Sequence, residues 1–244
     1  MRVIILAAGQ GIRLRPLTNE RPKCLVSFHG KPIIEHQLDV LRDCGLRDIV
    51  VVRGFQAHSL EYLNTRFVLN PEYESSNMVY SLFCAEMEMI GDIMISYGDI
   101  VYDRNVIKSL LDSPEPFALP INTRWRELWE KRMKNPLEDA ETLKLGADGF
   151  VTELGKKPKS YDEIEGQYMG LIKIGATVIE QVKSFYHQMD RLPHYDGKDF
   201  KNMYMTSFLQ TLIDHGFRLK AVPVTGGWVE IDSIEDLTLP LRGV

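Results

Sequence analysis

A three-layer α/β fold around a mainly parallel, mixed sheet is what the sequence predicts, and three observations predict it. Short β-branched runs recur along the first half of the chain, amphipathic stretches of helical period separate them, and the pattern changes after about residue 120. Residues 2–6, Arg-Val-Ile-Ile-Leu, read as a buried strand ended by small residues, and 32–44 as a helix with Ile33, Ile34, Leu38 and Leu41 on one face. Gly45 closes that helix, and a second strand over 48–52 completes a βαβ unit, so the loop after the first strand lies at the carboxyl edge of the sheet, where open α/β sheets take ligands. A short strand near 67–69, a helix over 77–89 started by Ser75 or Ser76, and the apolar strand 93–97 continue the alternation. From 121 to 175 the chain shows short strand-like pieces, Gly and Pro punctuation and mixed charge, which predicts a strand-rich insertion covering the carboxyl edge. Helices over about 176–189 and 202–215 and a last strand into "GGWVEIDSIEDL" follow. One domain over 1–244 is expected, in three stretches: 1–120, the insertion 121–175, and 176–244.

Composition narrows the classes of partner. The net charge is −5 with both signs mixed along the chain, so neither nucleic acid nor an anionic membrane surface is an expected partner. The apolar run at the start is too brief for a secretory signal, and no stretch approaches the roughly 18 apolar residues of a membrane span. Three widely spaced cysteines, Cys24, Cys44 and Cys84, fit reduced thiols and a cytoplasmic location.

The densest chemistry lies in "LAAGQGIRLRPLTNERPKCL", residues 6–25. Gly9 and Gly11 let backbone N–H groups approach an anion, while Arg13 supplies a planar fork and Lys23 a mobile point charge. Leu14 stands where the dinucleotide fingerprint needs glycine, and no Gly-Lys-Ser/Thr follows as in a P-loop, so the stretch reads as a cradle for a nucleoside triphosphate of another kind. The string closely resembles the signature of the sugar-nucleotidyltransferase-like superfamily, Ala-Ala-Gly-x-Gly-x-Arg-Leu-x-Pro-Leu-Thr followed by Pro-Lys. That resemblance implies a Rossmann-like fold with helices on both sheet faces, and makes 1–120 the nucleotide-binding part. It places Leu6, Ala8 and Gly9 against base and ribose, Gly11 and Arg13 against the phosphates, and Lys23 between the α-phosphate and the nucleophile.

A triphosphate attacked by an anion calls for a divalent cation, and Mg²⁺ needs few carboxylates. Asp99 in "SYGDIVYD" and Asp232 in "WVEIDSIEDL" match the superfamily's metal positions. Glu230 is a minor candidate, expected to face away from Asp232 if the strand is regular, and Asp103 is expected to be structural.

"NPEYESSNMVYSLFCA" resembles the small-acceptor cytidylyltransferase branch, which favours CTP and carries nucleotide contacts over to Asn77 and Ser81, with a helix-cap role for Asn77 compatible. The stretches "KNPLEDAETLK", "ELGKKPKSYDEIEGQYMGLIKI" and "KNMYMTSFLQTLI" extend that resemblance over nearly the whole chain and make 121–175 an acceptor-side insertion. It implies transfer of CMP to a small amino-bearing phosphate or phosphonate, of the phosphoglutamine, 2-aminoethylphosphonate or phosphocholine type. Lys156 matches a second phosphate-binding lysine, with Lys157 its neighbouring alternative. Glu141 and Asp139 are candidates for an acceptor ammonium, and Trp129 or Tyr168 for an aromatic wall beside it. Arg124, Arg126 and Arg132 are helix surface by default, with one of them a candidate to meet an acceptor phosphate or carboxylate. Direct attack by an already anionic acceptor needs no general base, and the six histidines show no triad-like arrangement. A sugar-1-phosphate nucleotidyltransferase and a non-catalytic nucleotide sensor are the rival readings, and a monomer or homodimer is expected.

Overall fold

The computed structural model describes residues 1–240, so the final residues 241–244 of the third stretch lie outside it. Strand Arg2–Ala7 sits at the middle of an eight-stranded sheet, paired in parallel with Ile49–Arg53 on one side and Ile93–Tyr97 on the other. All five residues of Ile93–Tyr97 are buried, as are five of the six in Arg2–Ala7. Strands buried on both faces need cover on both, which is why these stretches read as unbroken apolar runs. Beyond Ile49–Arg53 the sheet ends at Arg66–Leu69. On the other side Leu171–Ile174 pairs antiparallel with both Ile93–Tyr97 and Phe117–Asn122, and Lys220–Val224 closes that edge in parallel with Phe117–Asn122.

Six α-helices accompany the sheet among the described residues: Ile33–Asp43, Met78–Cys84, Arg104–Asp112, Trp125–Arg132, Ala176–Gln188 and Met205–Asp214. Helix Ile33–Asp43 buries Ile33, Ile34, Leu38 and Leu41, the face set by its apolar spacing. The helix expected over 77–89 is shorter, Met78–Cys84 followed by a 3-10 turn. Its cap is Asn77 instead of a serine, with the Asn77 carboxamide accepting from Met78 N at 2.8 Å. Asp103 proves structural, capping Arg104–Asp112 by accepting from Asn105 N and Val106 N.

The stretch after 120 differs from a purely strand-rich insertion. It contains helix Trp125–Arg132 and the antiparallel hairpin Leu143–Leu145/Val151–Leu154, and it returns strands Gln167–Tyr168 and Leu171–Ile174 to the main sheet. The boundary at 120/121 falls inside strand Phe117–Asn122. Helix Trp125–Arg132 carries Arg126 and Arg132, with Arg124 at its N-cap, so the helix expected at these arginines is present although "WRELWEKR" gives only a weak apolar stripe.

The three central strands end in register, Leu6 opposite both Val52 and Tyr97. The chain leaves the sheet there through small residues. Gly98 N donates to Leu6 O at 2.9 Å, and a Cβ on Gly98 would sit 2.7 Å from that oxygen. Only glycine lets the third strand turn so close to the first. No helix among the described residues is long and apolar enough to cross a membrane.

Candidate active site

The loop after Arg2–Ala7 is shaped by its own packing. Gly11 has φ +68°, a left-handed conformation, and a Cβ there would lie 2.8 Å from Lys23 Cβ. Thr18, buried, donates from Oγ1 to Gly11 O at 2.8 Å and so folds the 3-10 turn Ile12–Leu14 back on the loop. Leu14 points into the core, while the Arg13 side chain remains largely outside and reaches Asp232 Oδ1 at 2.8 Å. Gly9 is different: a Cβ there would meet no atom within 4 Å, so the chain's own packing does not require glycine at that position.

Strand pairing assembles the carboxylates. Trp228–Glu230 runs antiparallel to Ile100–Tyr102, and Ile231 N donates to Asp99 O at 2.9 Å, which sets Asp99 beside Glu230 and Asp232. Buried Gln37 braces the turn from below, its Nε2 donating to Tyr97 O at 2.9 Å and Ile100 O at 2.7 Å on either side of Gly98 and Asp99. One oxygen from each of Asp99, Glu230 and Asp232 lies within 4.8 Å of the others. Glu230 is therefore in the cluster, and the expectation that a regular strand would turn it away is corrected. Residues two apart share a face of the pleat, so the period of two was the signal for including it.

Lys23 Nζ sits between two of these acids, 2.6 Å from Asp99 Oδ2 and 2.5 Å from Asp232 Oδ1. Burial alone would lower the Lys23 pKa, but Asp99, Asp232 and Glu230 together outweigh it and hold the ammonium above its ordinary range. Asp232 is partly buried, which alone would raise its pKa, yet Lys23 and Arg13 keep its carboxyl below the usual value. Glu230 moves the other way: burial, then repulsion from Asp232 and Asp99, raises it. Cys24, adjoining Lys23, is no nucleophile, because burial pushes its thiol up to about 12.

The cluster fits a hard divalent cation. Its donors are carboxylate oxygens, and Asp99 Oδ1 is buried with no hydrogen-bond partner, a costly state that a bound cation would relieve.

Two small clefts adjoin Lys23 and the loop. One of about 80 Å³ is lined by Leu6, Ala8, Gly9, Asn77, Met78 and Ser81, thus by five of the predicted nucleotide contacts. Asn77 also ties its Nδ2 to Asn202 O at 3.3 Å, and the Ser81 hydroxyl accepts from Asn70 Nδ2 at 2.9 Å. Another, about 90 Å³, brings Leu6 and Gly9 to Lys23 and Asp99.

A larger cavity of about 210 Å³ opens on the other side, and Trp129, Glu141 and Tyr168 line it together with Arg13, Glu230 and Asp232. Trp129 stacks on Trp228, interplanar angle 12°, and donates from Nε1 to Asp139 Oδ2 at 3.0 Å. Glu141 is pushed up to about 7, by burial first and then by Asp139 and Asp196. Its backbone is fixed through Gln167, whose carboxamide oxygen accepts from Glu141 N at 3.2 Å. The Tyr168 hydroxyl is buried without a partner.

Lys156 is the predicted residue that the structure leaves out. Its side chain is 54 % exposed and lies 3.5 Å from Glu153, and it follows the turn at Gly155 (φ +84°) without lining the cavity. Lys157 bonds Glu138 O instead. Arg124 and Arg126 pair with Glu127 and Glu130 on the helix surface as expected, whereas Arg132 is buried and faces the carboxylates, a correction taken up below.

A glycine-rich loop on a parallel sheet edge, a lysine among carboxylates and clefts on either side define a nucleotidyltransferase. Residues 3–148 match the family model of the MobA-like NTP transferase domain, and the chain belongs to that family. It is 44% identical to the CTP:phosphoglutamine cytidylyltransferase of Campylobacter jejuni subsp. jejuni over 99% of this chain and 100% of that protein. It is 34% identical to the choline-phosphate cytidylyltransferase of Streptococcus pneumoniae over 49% of this chain and 53% of that one. The solved CTP:phosphocholine cytidylyltransferase from Streptococcus pneumoniae superposes with a TM-score of 0.71 at 24% identity, covering 96% of this chain and 95% of that chain, a likeness of fold.

Proposed function

We propose that this nucleotidyltransferase moves CMP from CTP to the phosphate or phosphonate oxygen of a small amino-bearing acceptor and releases pyrophosphate. The observation that carries the proposal is the place of Lys23, which lines the cleft with Leu6, Gly9 and Asp99 and, through its bond to Asp232, adjoins the acidic cavity. Near-complete alignment with a phosphoglutamine-using relative and the aromatic and acidic lining of that cavity support the acceptor class.

In this reading the nucleoside lies against Leu6, Ala8, Gly9, Asn77 and Ser81. The open side of Gly9 lets the nucleotide approach the main chain closely. The acceptor's ammonium faces Glu141, against Trp129 and Tyr168, which aims its anionic oxygen toward Lys23. That oxygen attacks the α-phosphorus, the new P–O bond forms as the bond to the β-phosphate oxygen breaks, and pyrophosphate carries away the electron pair. Lys23 and Arg13 stabilise charge on the equatorial and leaving oxygens. Asp99, Glu230 and Asp232 would hold Mg²⁺, which supplies further positive charge to those same oxygens. The acceptor oxygen is already ionised near neutral pH, so no histidine is called on.

The test is pyrophosphate release from CTP, UTP, ATP and dTTP with phosphoglutamine, 2-aminoethylphosphonate, phosphocholine and glucose 1-phosphate. The proposal expects CTP with an amino-bearing acceptor to give the highest kcat/KM. Preference for a sugar 1-phosphate would leave only nucleotidyl transfer standing.

A further inference from the structure

Arg132 ends helix Trp125–Arg132, with its side chain only 3 % exposed. Its Nε donates to Asp236 Oδ1 at 2.9 Å and its Nη2 to Asp236 Oδ2 at 3.3 Å, a two-pronged pair of the kind that fixes geometry. Asp236 is equally buried and does a second thing: its Oδ2 accepts from the backbone N–H groups of Asp232 and Ser233, both at 2.8 Å. The turn that carries Asp232 is thus held by a carboxylate that Arg132 itself holds. The remaining guanidinium edge faces the cluster, Nη1 lying 3.7 Å from Glu230 Oε2 and Nη2 3.7 Å from Asp232 Oδ2, and Nη1 is buried without a hydrogen-bond partner. One turn earlier on the same helix, Trp129 lines the acidic cavity, and the Arg132 guanidinium lies 5.3 Å from its ring centroid.

We infer that Arg132, through Asp236, is a positioning residue for the Asp99–Glu230–Asp232 cation site, and that it ties this site to the helix forming the acceptor wall. The inference rests on the reading of those three acids as a divalent-cation site. Charge alone points the opposite way, since a lone guanidinium near a cation site repels the cation. Arg132 and Asp236 together are neutral, so their effect on the site is the placement of Asp232 and Glu230. Removing Arg132 leaves Asp236 buried and unpaired, and the turn at 232–236 loses its anchor.

The experiment measures Mn²⁺ binding by the full chain, with and without CTP, by electron paramagnetic resonance of free Mn²⁺, alongside thermal melts. Wild type should bind, and Asp99→Ala and Asp232→Ala should not; absence of binding by wild type would remove the cation-site reading itself. Arg132→Met and Asp236→Ala should each weaken Mn²⁺ binding by roughly 10- to 100-fold, the usual weight of residues that orient metal ligands. Arg132→Lys should recover part of it. The double variant should be no worse than either single one, because the two residues act as a unit. In activity the same variants should raise the half-saturating Mg²⁺ more than they lower kcat at saturating Mg²⁺. Wild-type Mn²⁺ affinity in folded Arg132→Met, or tighter binding, overturns the inference. Should Arg132→Met fail to fold, Asp236→Ala decides it by the same criterion.

Discussion

The two walls of the cleft are built in opposite ways. The wall proposed for the nucleotide is mostly one continuous segment, residues 6–25, whose Gly9, Gly11, Arg13 and Lys23 occupy a loop closed on itself through Thr18 and the contact of Gly11 with Lys23. The acceptor-side wall draws Trp129, Glu141, Tyr168, Thr206 and Trp228 from five separate segments. Their charges differ as well, with Lys23 on the first wall and Asp139 and Glu141 on the second, while Arg13 extends from the loop to line the second cavity too. Asp99, Glu230 and Asp232 lie at the seam. In the proposed reading, the continuous wall holds the phosphates and the wall assembled from distant segments meets the acceptor, so a substitution on the second is expected to leave the first in place.

The seam gives the largest expected effect. Asp99→Ala or Asp232→Ala removes a cluster oxygen and one of the two partners of Lys23, so pyrophosphate release should fall at least ~10³-fold. Thermal melts should show a folded protein. Retention of wild-type turnover by either variant, or full activity in excess chelator, would remove the cation site from the mechanism.

Lys23→Ala comes next and separates transition-state from ground-state binding. A lysine near the α-phosphate gains most from charge that develops during transfer, so kcat should drop on the order of 10²–10³ while CTP affinity changes much less. Equal kcat with a large loss of CTP affinity would make Lys23 an anchor and leave catalysis to the seam.

Glu141→Gln probes the acceptor wall alone. The preference for an amino-bearing over an uncharged acceptor should shrink by ~10-fold, because a buried carboxylate no longer needs a cationic partner. The pH dependence has a definite sign. Burial and Asp139 raise the Glu141 pKa from 4.5 to about 7 in the folded protein, so the carboxyl is increasingly protonated below that value. The acceptor KM of wild type should therefore rise as pH falls through 7, more steeply than in Glu141→Gln, where titration of the acceptor itself is all that remains. A raised carboxyl pKa means the native state holds the proton more tightly than the unfolded one. Its stabilising contribution is complete below about pH 4.5 and is lost as pH rises through 7. Glu141→Gln should accordingly raise the melting temperature at pH 8 and change it little at pH 4. Parallel melting curves for the two proteins across that range would contradict the burial of Glu141.

How much of each wall could be read in the sequence follows from the same difference. The first wall was legible because its residues from Leu6 to Lys23 follow one another along a single strand end and loop. Asp99 and Asp232 were legible as acids at strand ends. Glu230 was misplaced by a slip over the pleat and not for lack of a signal. The burial of Arg132 and the outward aim of Lys156 were not legible for a different reason. Nothing in "WRELWEKR" says that its second arginine, and not its first, will be buried by a turn a hundred residues later, and a lysine after Gly155 gives no sign of which way the turn aims it. Gln37, which braces the Asp99 turn from the opposite layer, was invisible for the same reason.

The smallest expected effect separates two glycines that look alike in the sequence. At Gly11 the backbone is left-handed and an added Cβ collides with Lys23, so Gly11→Ala should cost about 1–3 kcal/mol in stability and shift Lys23 whether or not nucleotide is present. At Gly9 an added Cβ meets nothing, so Gly9→Ala should melt within a degree or two of wild type. If the nucleotide lies against the main chain at Gly9, the added methyl stands in the ligand's place instead of the protein's. CTP affinity should then fall several-fold with stability unchanged. Calorimetric titration of both variants with CTP, set beside their melts, distinguishes the cases. Loss of stability in Gly9→Ala would mean that the loop needs that glycine for its own packing, while unchanged affinity would move the nucleotide off the first wall at this point and confine its contacts to Asn77, Ser81 and the seam.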